Sequence, residues 1–360
     1  MSLSPPRAWA EINRDALRHN FEFARSQSGN LDVMAVVKAN AYGHGVKTVV
    51  ETLEELRPAF YGVANVREAR EVKELIPNAR VYLLGACITA EYEEVVMEGF
   101  TPCASSMEEI KLFERLAQSY QKKLKLHLAL DTGMGRGGFL PGTSDYAEAL
   151  QYSSRYIEVE GVGSHMPSSD EDEVFTRQQY ESFAKNVPLS MKYRHLENSA
   201  GLVHYESSGL NMVRPGLLLY GVSPLEQYQS YLRPVMTLYS RVSLLRRLPA
   251  GHSVSYGRTF ITQRESLVAV VGIGYADGVR RSISGKGAQV FINGEYAPII
   301  GRITMDQLVI DVTDIGSCEV GDVVEVFGSN ILVASFAELA HTIPWEIFTG
   351  ISPRVRRQTV

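Results

Sequence analysis

Cysteine is scarce in this sequence. Its three residues, Cys87, Cys103 and Cys318, stand far apart and form no C-x-x-C pair, which argues against a disulfide framework and against a cysteine-based zinc centre. No metal is expected. Basic runs are scarce as well: the formal net charge is −5, and no Lys/Arg cluster of useful length precedes the short "RVRR" near the C-terminus. Nucleic acid is therefore not an expected partner. Long hydrophobic runs are missing too, since no stretch approaches the length of a membrane span. The opening "MSLSPPRAWAEINRDAL" lacks a basic segment followed by an apolar one. No membrane association is expected, the expected location is the cytoplasm, and the expected partner is a small molecule.

What is present is ordinary in bulk: 360 residues, 45% hydrophobic and 21% charged, a composition of soluble globular proteins. A chain of this length exceeds the usual single core, so a large domain with a smaller one is expected. Eight short apolar runs follow one another, "DVMAVVK", "AFYGVA", "RVYLLGA", "FTPCAS", "LKLHLALD", "YIEVEGVGSH", "YRHLENS" and "MVRPGL". Amphipathic charged segments separate them, among them "SMEEIKLFERLAQSY", which opens with the capping-box spacing of Ser106 and Glu109. Strand and helix repeated eight times reads as α/β, a (β/α)8 TIM barrel, with an open sheet as the lesser alternative.

After residue 230 the rhythm turns to β-type runs without long helices, and "FINGEYA" carries an Asn-Gly hairpin signal. The expected domains are a barrel over 12–230 and a C-terminal, mostly antiparallel β domain over 231–360, joined by 1–11.

In parallel barrels, functional groups gather where strands finish. Lys38 closes the apolar run of "AVVKANAYGHG", an expensive place for an amine unless it snorkels out or is held in a site. Tyr42 lies just past it. The fifth run leads into "DTGMGRGG" with Asp131 and Arg136, the sixth delivers His165, the seventh Asn198 and Ser199, the eighth Arg214, Pro215, Gly216 and Leu217. Each alone reads as a solvated or core residue; together they converge on one mouth.

Two other features point elsewhere and fail on context. "GMGRGG" matches the dinucleotide fingerprint literally, but "FLPGTSD" follows it, and Pro141 and Gly142 prevent the helix that would receive a pyrophosphate. The acidic cluster from Asp170 to Glu173 reads as the first turn of a helix.

The stretch "AVVKANAYGHG" is very similar to the lysine motif of the alanine racemases, pyridoxal 5′-phosphate enzymes of fold type III with a barrel and a β domain. The likeness runs along nearly the whole chain, through "LDTGMGRGGF", "GVGSHM", "ENSAG", "VRPGLLLYG", "VSYGRTF", "GIGYADG" and "IIGRITMDQ". It implies that L- and D-alanine are interconverted with two acid/base groups on opposite faces of Cα. Lys38 matches the cofactor-bearing lysine, and Tyr256, in "VSYG", matches the second base. By their matches, His165 and Arg214 stand behind the tyrosine, and Arg214 faces the pyridine nitrogen. There a guanidinium donates without protonating the ring.

The same likeness assigns the cofactor's phosphate to Tyr42, Ser199 and the backbone of Gly216 and Leu217, with Asn198 among the cofactor-binding positions. Arg136 matches a residue near the ring oxygen and the substrate carboxylate, Met305 one whose backbone meets that carboxylate, and Tyr275 one narrowing the entrance. The family also implies a homodimer with active sites shared between subunits, and D-alanine supply for peptidoglycan precursors. Three positions depart from the pattern: Ala129 replaces a lysine, often carbamylated, that would neutralise Arg136, so a bound chloride is the expected substitute. Thr304 replaces a frequent cysteine, and Pro353 stands where some relatives have a phosphate-binding tyrosine. Alternative readings are a serine or broad-range racemase, a fold-type III decarboxylase and a non-catalytic cofactor-binding protein. Arg214 argues against the decarboxylase, which uses an acidic partner for the ring nitrogen; "VSYG" and "ITMDQ" argue against a carrier.

Overall fold

The eight apolar runs become eight parallel strands: Asp32–Val36, Phe60–Val63, Val81–Leu83, Cys103–Ala104, Leu124–Ala129, Ile157–Gly163, Tyr193–His195 and Met212–Val213. Each pairs with its sequence neighbour, except between the third and fourth, and the eighth lies beside the first. A parallel bridge between Tyr82 and Thr101 closes the remaining gap, so the sheet is a barrel. Met34, Phe60, Tyr82, Tyr193 and Met212 pack together inside it. The computed structural model describes residues 5–29, 31–205 and 209–360. They divide into two units, one of Leu17–Ala41 with Val49–Leu232, the other of the described residues up to Ala16, Tyr42–Thr48 and Arg233–Val360.

Local chemistry starts the helices of the barrel unit. Ser106 and Glu109 form the expected reciprocal cap on Met107–Ser119. Asn65 caps Val66–Leu75 through the N–H of Glu68. The acidic cluster behaves differently from the expectation. Asp172 is the cap of Glu173–Asn186, accepting from Phe175 N at 2.9 Å, so Asp170 and Glu171 precede the helix. After "GMGRGG" the backbone turns back to bridge Phe139 to Leu130, and the next helix begins only at Ser144.

The second unit is built on the long strand Met236–Leu248, which pairs antiparallel with Ala8–Ile12, Val323–Phe327 and Ser266–Val271. Six strands of this sheet close on themselves: Ser266–Val271, Leu308–Asp311, Glu295–Ile300, Gln289–Ile292, Val323–Phe327 and Met236–Leu248. Asn293 and Gly294, at φ 51° and 87°, make the two-residue turn that "FINGEYA" announced. Arg356–Thr359 runs parallel to Ala8–Ile12, so the first and last strands of the described chain lie side by side.

Tyr42–Thr48 belongs to this unit, and its two glycines have local causes. Gly43 sits at φ 79°, and a Cβ there would lie 2.3 Å from the carbonyl oxygen of Phe348. The same Phe348 ring meets His44 edge-on at 4.7 Å between centroids, and Arg357 Nε donates to the Gly43 carbonyl at 3.0 Å. The "YGHG" portion of the lysine motif is thus an anchor in the β unit.

Candidate active site

Lys38 begins a rare backbone turn. Ala39, Asn40 and Ala41 have φ/ψ near 55°/50°, and Tyr42 continues at φ 52°. Left-handed helix costs roughly 1–2 kcal/mol per L-residue, so four in succession persist only where the surroundings determine them. Two hydrogen bonds within the barrel unit do so. Ala39 N donates to Glu68 Oε1 at 2.9 Å, and Ala41 N donates to the Val37 carbonyl at 2.9 Å.

Burial lowers the pKa of the Lys38 amine below its usual value, the Arg136 guanidinium lowers it further, Glu68 opposes, and Arg214 adds to the lowering. Such an amine reaches its neutral, nucleophilic form at lower pH than a surface lysine. Arg136 itself is exposed on the loop after the fifth strand. Asp131, the nearest acid in sequence, is occupied by the loop's own Gly133 and Gly135 N–H groups at 2.9–3.1 Å.

Arg214 is buried after the eighth strand. Its Nη1 donates to His195 Nδ1 at 2.6 Å, and its Nη2 to the Ser164 carbonyl at 2.6 Å, the Leu196 carbonyl at 3.2 Å and His165 Nδ1 at 3.2 Å. These acceptors are neutral. A guanidinium only donates, so Nδ1 of His165 accepts and its proton sits on Nε2. Burial, then the charges of Arg214, Arg136 and Lys38, hold the His165 pKa down to about 3, which leaves the ring neutral at physiological pH.

Ser199 opens the helix Ser199–His204, and its Oγ accepts from Gly216 N at 3.0 Å and Leu218 N at 3.3 Å. Leu217 is the first residue of a short 3₁₀ turn, and among the described residues its N–H has no acceptor. Asn198 is engaged as the helix cap, accepting from Ala200 N and Gly201 N and donating to the Met166 carbonyl. These bonds hold the start of the helix that carries Ser199. Burial raises the Tyr42 phenol to about 12, which keeps it a proton donor.

The β unit carries the remaining candidates on its own surface. Tyr256 is 67% exposed, Met305 53% and Tyr275 42%. Tyr256 follows Ser255 at φ 60° and precedes Gly257 at φ 72°, a turn held by Ser255 Oγ donating to the Arg302 carbonyl at 2.5 Å. Tyr275 N and Ala276 N donate to the carbonyls of Thr304 and Met305, both at 3.0 Å. A side chain at Gly274 would strike those two carbonyls at 2.4 and 2.5 Å, so "GYADG" and "ITMDQ" depend on that glycine to meet.

Sequence reasoning missed Glu68, Ser164, His195, His127 and Glu160. Glu68 had no signal beyond its place in a helix's first turn. His127 offered only its place among the leucines of "LHLAL", and His195, in "YRH", offered no signal.

Comparison with known proteins agrees in both parts of the chain. Residues 12–224 match the family model for the alanine racemase N-terminal domain, and 235–359 that for the C-terminal domain. Among curated proteins, Alanine racemase 2 of Caldanaerobacter subterraneus subsp. tengcongensis is 38% identical, covering 96% of this chain and 93% of its own. An alanine racemase of Halothermothrix orenii is 37% identical over 97% and 96%. An alanine racemase structure from Clostridium difficile 630 superposes with a TM-score of 0.92 at 31% identity, covering 99% of this chain and 97% of that one. The Bartonella henselae alanine racemase, solved with covalently bound pyridoxal phosphate, gives a TM-score of 0.90 at 29% identity over 99% and 100%. The chain belongs to the alanine racemase family, whose members depend on pyridoxal 5′-phosphate, and its activity is alanine racemisation.

Proposed function

We infer that the barrel mouth holds pyridoxal 5′-phosphate through Lys38, and that Lys38 and Tyr256 move protons on opposite faces of the alanine Cα. The observation that carries this reading is Lys38 itself. It is an amine with its pKa lowered by burial and two guanidinium groups, set at the end of a barrel strand by a strained turn.

The donor set suits the cofactor. The Leu217 N–H, the Ser199 hydroxyl and the protonated Tyr42 phenol are donors for a phosphate. Arg214 supplies a donor too weakly acidic to give up its proton to the pyridine nitrogen. When bound, the cofactor supplies an electron sink for the pair left at Cα.

Racemisation needs removal of a proton from one face and delivery to the other. Lys38 serves one face. Tyr256 serves the other, and because a phenol is a weak base near neutral pH it needs help in that role. His165 is neutral, so its help is a hydrogen bond from Nε2–H toward the phenol oxygen, not a positive charge of its own. Arg136 and the backbone at Met305 receive the substrate carboxylate, and Tyr275 restricts the entrance to small side chains. The exposed Tyr256, Tyr275 and Met305 suit burial against a second copy of the chain, in a homodimer whose sites take residues from both subunits. Three free cysteines suit the reducing cytoplasm.

The test is a chiral assay of the purified protein with pyridoxal phosphate against L-alanine, L-serine and L-lysine. The expected result is D-alanine formation that far exceeds D-serine or D-lysine and is abolished in Lys38→Ala. Carbon dioxide release, or equal turnover of all three substrates, overturns the reading.

A further inference from the structure

A line of buried polar side chains descends from Arg214 through the barrel interior, and below Arg214 none of it touches the reacting groups. Arg214 Nη1 meets His195 Nδ1 at 2.6 Å. His195 Nε2 meets His127 Nδ1 at 2.8 Å. His127 Nε2 stands 3.8 Å from Glu160 Oε1, beyond hydrogen-bond range but close for a charge in a buried setting. Glu160, its side chain 0% exposed, pairs with Arg80, and with Lys192 at 3.4 Å.

The barrel is shaped to hold this line. His127 and His195 are fully buried, and each lies flat against a glycine of the sixth strand. A Cβ at Gly161 would sit 2.7 Å from the His127 ring, and one at Gly163 would sit 2.1 Å from His195 Cε1. Between the fifth and sixth strands the register slips: Leu126 pairs with Val159, but His127 pairs with Gly161. The extra residue is Glu160. A bulge re-aims side chains, and here it places the carboxylate and the glycine that admits His127 next to each other. "VEGVG" is therefore the sequence of a socket for two imidazoles and one acid.

Direction along the line is fixed from its top. Arg214 has donors only, so His195 Nδ1 is an acceptor and its proton is on Nε2. That proton points to His127 Nδ1, which must accept, so the His127 proton is on Nε2 and faces the carboxylate. One donor after another runs from Arg214 to His127, whose Nε2–H faces the Glu160 carboxylate across 3.8 Å without a hydrogen bond. We propose that His195 and His127 are positioning residues that transmit the Glu160 charge to Arg214, steadying its guanidinium and moderating it as a donor toward the cofactor ring. Polarisation along such a chain strengthens each acceptor above it; the hydrogen-bond acceptors around Arg214 are neutral, and the buried Glu197 carboxylate acts on it through space. Burial, opposed by Glu160, keeps His127 below its usual pKa; His195 lies well below its own, from burial and then Arg214 and His127. Both rings are therefore neutral, as two single tautomers require.

The proposal rests on the cofactor reading above, and the experiment separates the two. Ring-¹⁵N spectra of histidine-labelled full-length protein, with and without pyridoxal phosphate, should show His127 and His195 as neutral Nε2–H tautomers at pH 7. An imidazolium, or a proton on Nδ1 in either ring, overturns the chain even if the cofactor binds normally. If pyridoxal phosphate gives no visible absorption band with the protein, the cofactor reading fails instead.

The decisive variant is His127→Leu, which leaves the Arg214–His195 contact in place and cuts the link to Glu160. Its bound cofactor should show a displaced visible absorption band and roughly tenfold weaker retention, equivalent to about 1.4 kcal/mol. Glu160→Gln should displace the band in the same sense. His195→Gln, which can accept from Arg214 and donate to His127, should lie closer to wild type than His195→Leu. An unmoved band in folded His127→Leu and Glu160→Gln overturns the transmission. If neither variant folds, the tautomer measurement on the wild-type chain still decides.

Discussion

The amide of Ala39 donates to Glu68 Oε1 at 2.9 Å, and the other oxygen of the same carboxylate accepts from Ala64 N at 2.8 Å. One side chain thus ties the turn after Lys38 to the loop after the second barrel strand. It opposes the left-handed strain of 39–42 at the first residue, where the chain leaves the strand. Glu68→Ala removes both charge-assisted bonds, each worth about 1.5–3 kcal/mol. The variant should unfold at lower denaturant and bind pyridoxal phosphate roughly tenfold more weakly, about 1.4 kcal/mol. Glu68→Gln, which keeps one acceptor oxygen, should fall between. Wild-type affinity in Glu68→Ala would show that the turn holds without it.

How far such relations can be read from sequence depends on whether they are set by period or by register. The eight-strand alternation was legible, because apolar runs and amphipathic segments carry their own periodicity. Lys38, His165 and Arg214 were legible too, since a strand's end is a position on the chain, and the structure brings these three into one electrostatic neighbourhood. His127, His195 and Glu160 were not. Their inward aim depends on a one-residue slip beside Glu160 and on glycines across a strand pairing, and neither is visible without the partner strand. Glu68 was hidden for a similar reason, because its acceptor role exists only once the second βα loop lies beside the first.

Acid should unfold this protein earlier than its carboxylates alone would. His165 is held down to about 3 against an ordinary 6.5, and His127 and His195 are lowered as well. As the pH falls below 6.5 the unfolded chain takes up protons that the folded chain refuses, so stability is lost on descent. Each such histidine adds a slope of up to about 1.4 kcal/mol per pH unit. Glu160, pushed up by burial but held to about 2 by its neighbours, the Arg80 and Lys192 cations among them, acts in the same direction between about 4.5 and 2. Denaturant unfolding at pH 7.5, about 6 and about 5 should show a steady fall in midpoint. A flat profile across that window would mean that these rings are charged in the folded state.

Arg136 bears on anion dependence. Among the described residues no carboxylate forms an ion pair with it, and Ala129 carries no charge. A small anion such as chloride should therefore occupy its neighbourhood. Replacing chloride by a bulky organic anion at constant ionic strength should raise KM for alanine more than it lowers kcat. Ala129→Glu, which brings a carboxylate to the strand beneath, should blunt that dependence. A KM indifferent to chloride in the wild-type protein would remove the anion from the account.

Assembly supplies the last test. Lys38 lies in the barrel unit and Tyr256 in the β unit, and Tyr256 is 67% exposed on its own chain. If each active site takes Lys38 from one subunit and Tyr256 from the other, a two-fold dimer has two such sites related by symmetry. Lys38→Ala and Tyr256→Ala should each be inactive alone. In a mixed dimer one site carries both lesions and the other carries neither. Random exchange makes about half of the dimers mixed, and one site in each works, so activity should return to roughly a quarter of wild type by this symmetry count. Were both groups drawn from one chain, every site in every pairing would keep one lesion. Exchange verified by mass labelling but without recovered activity would therefore assign both bases to a single subunit and leave Tyr256 without a partner-facing role.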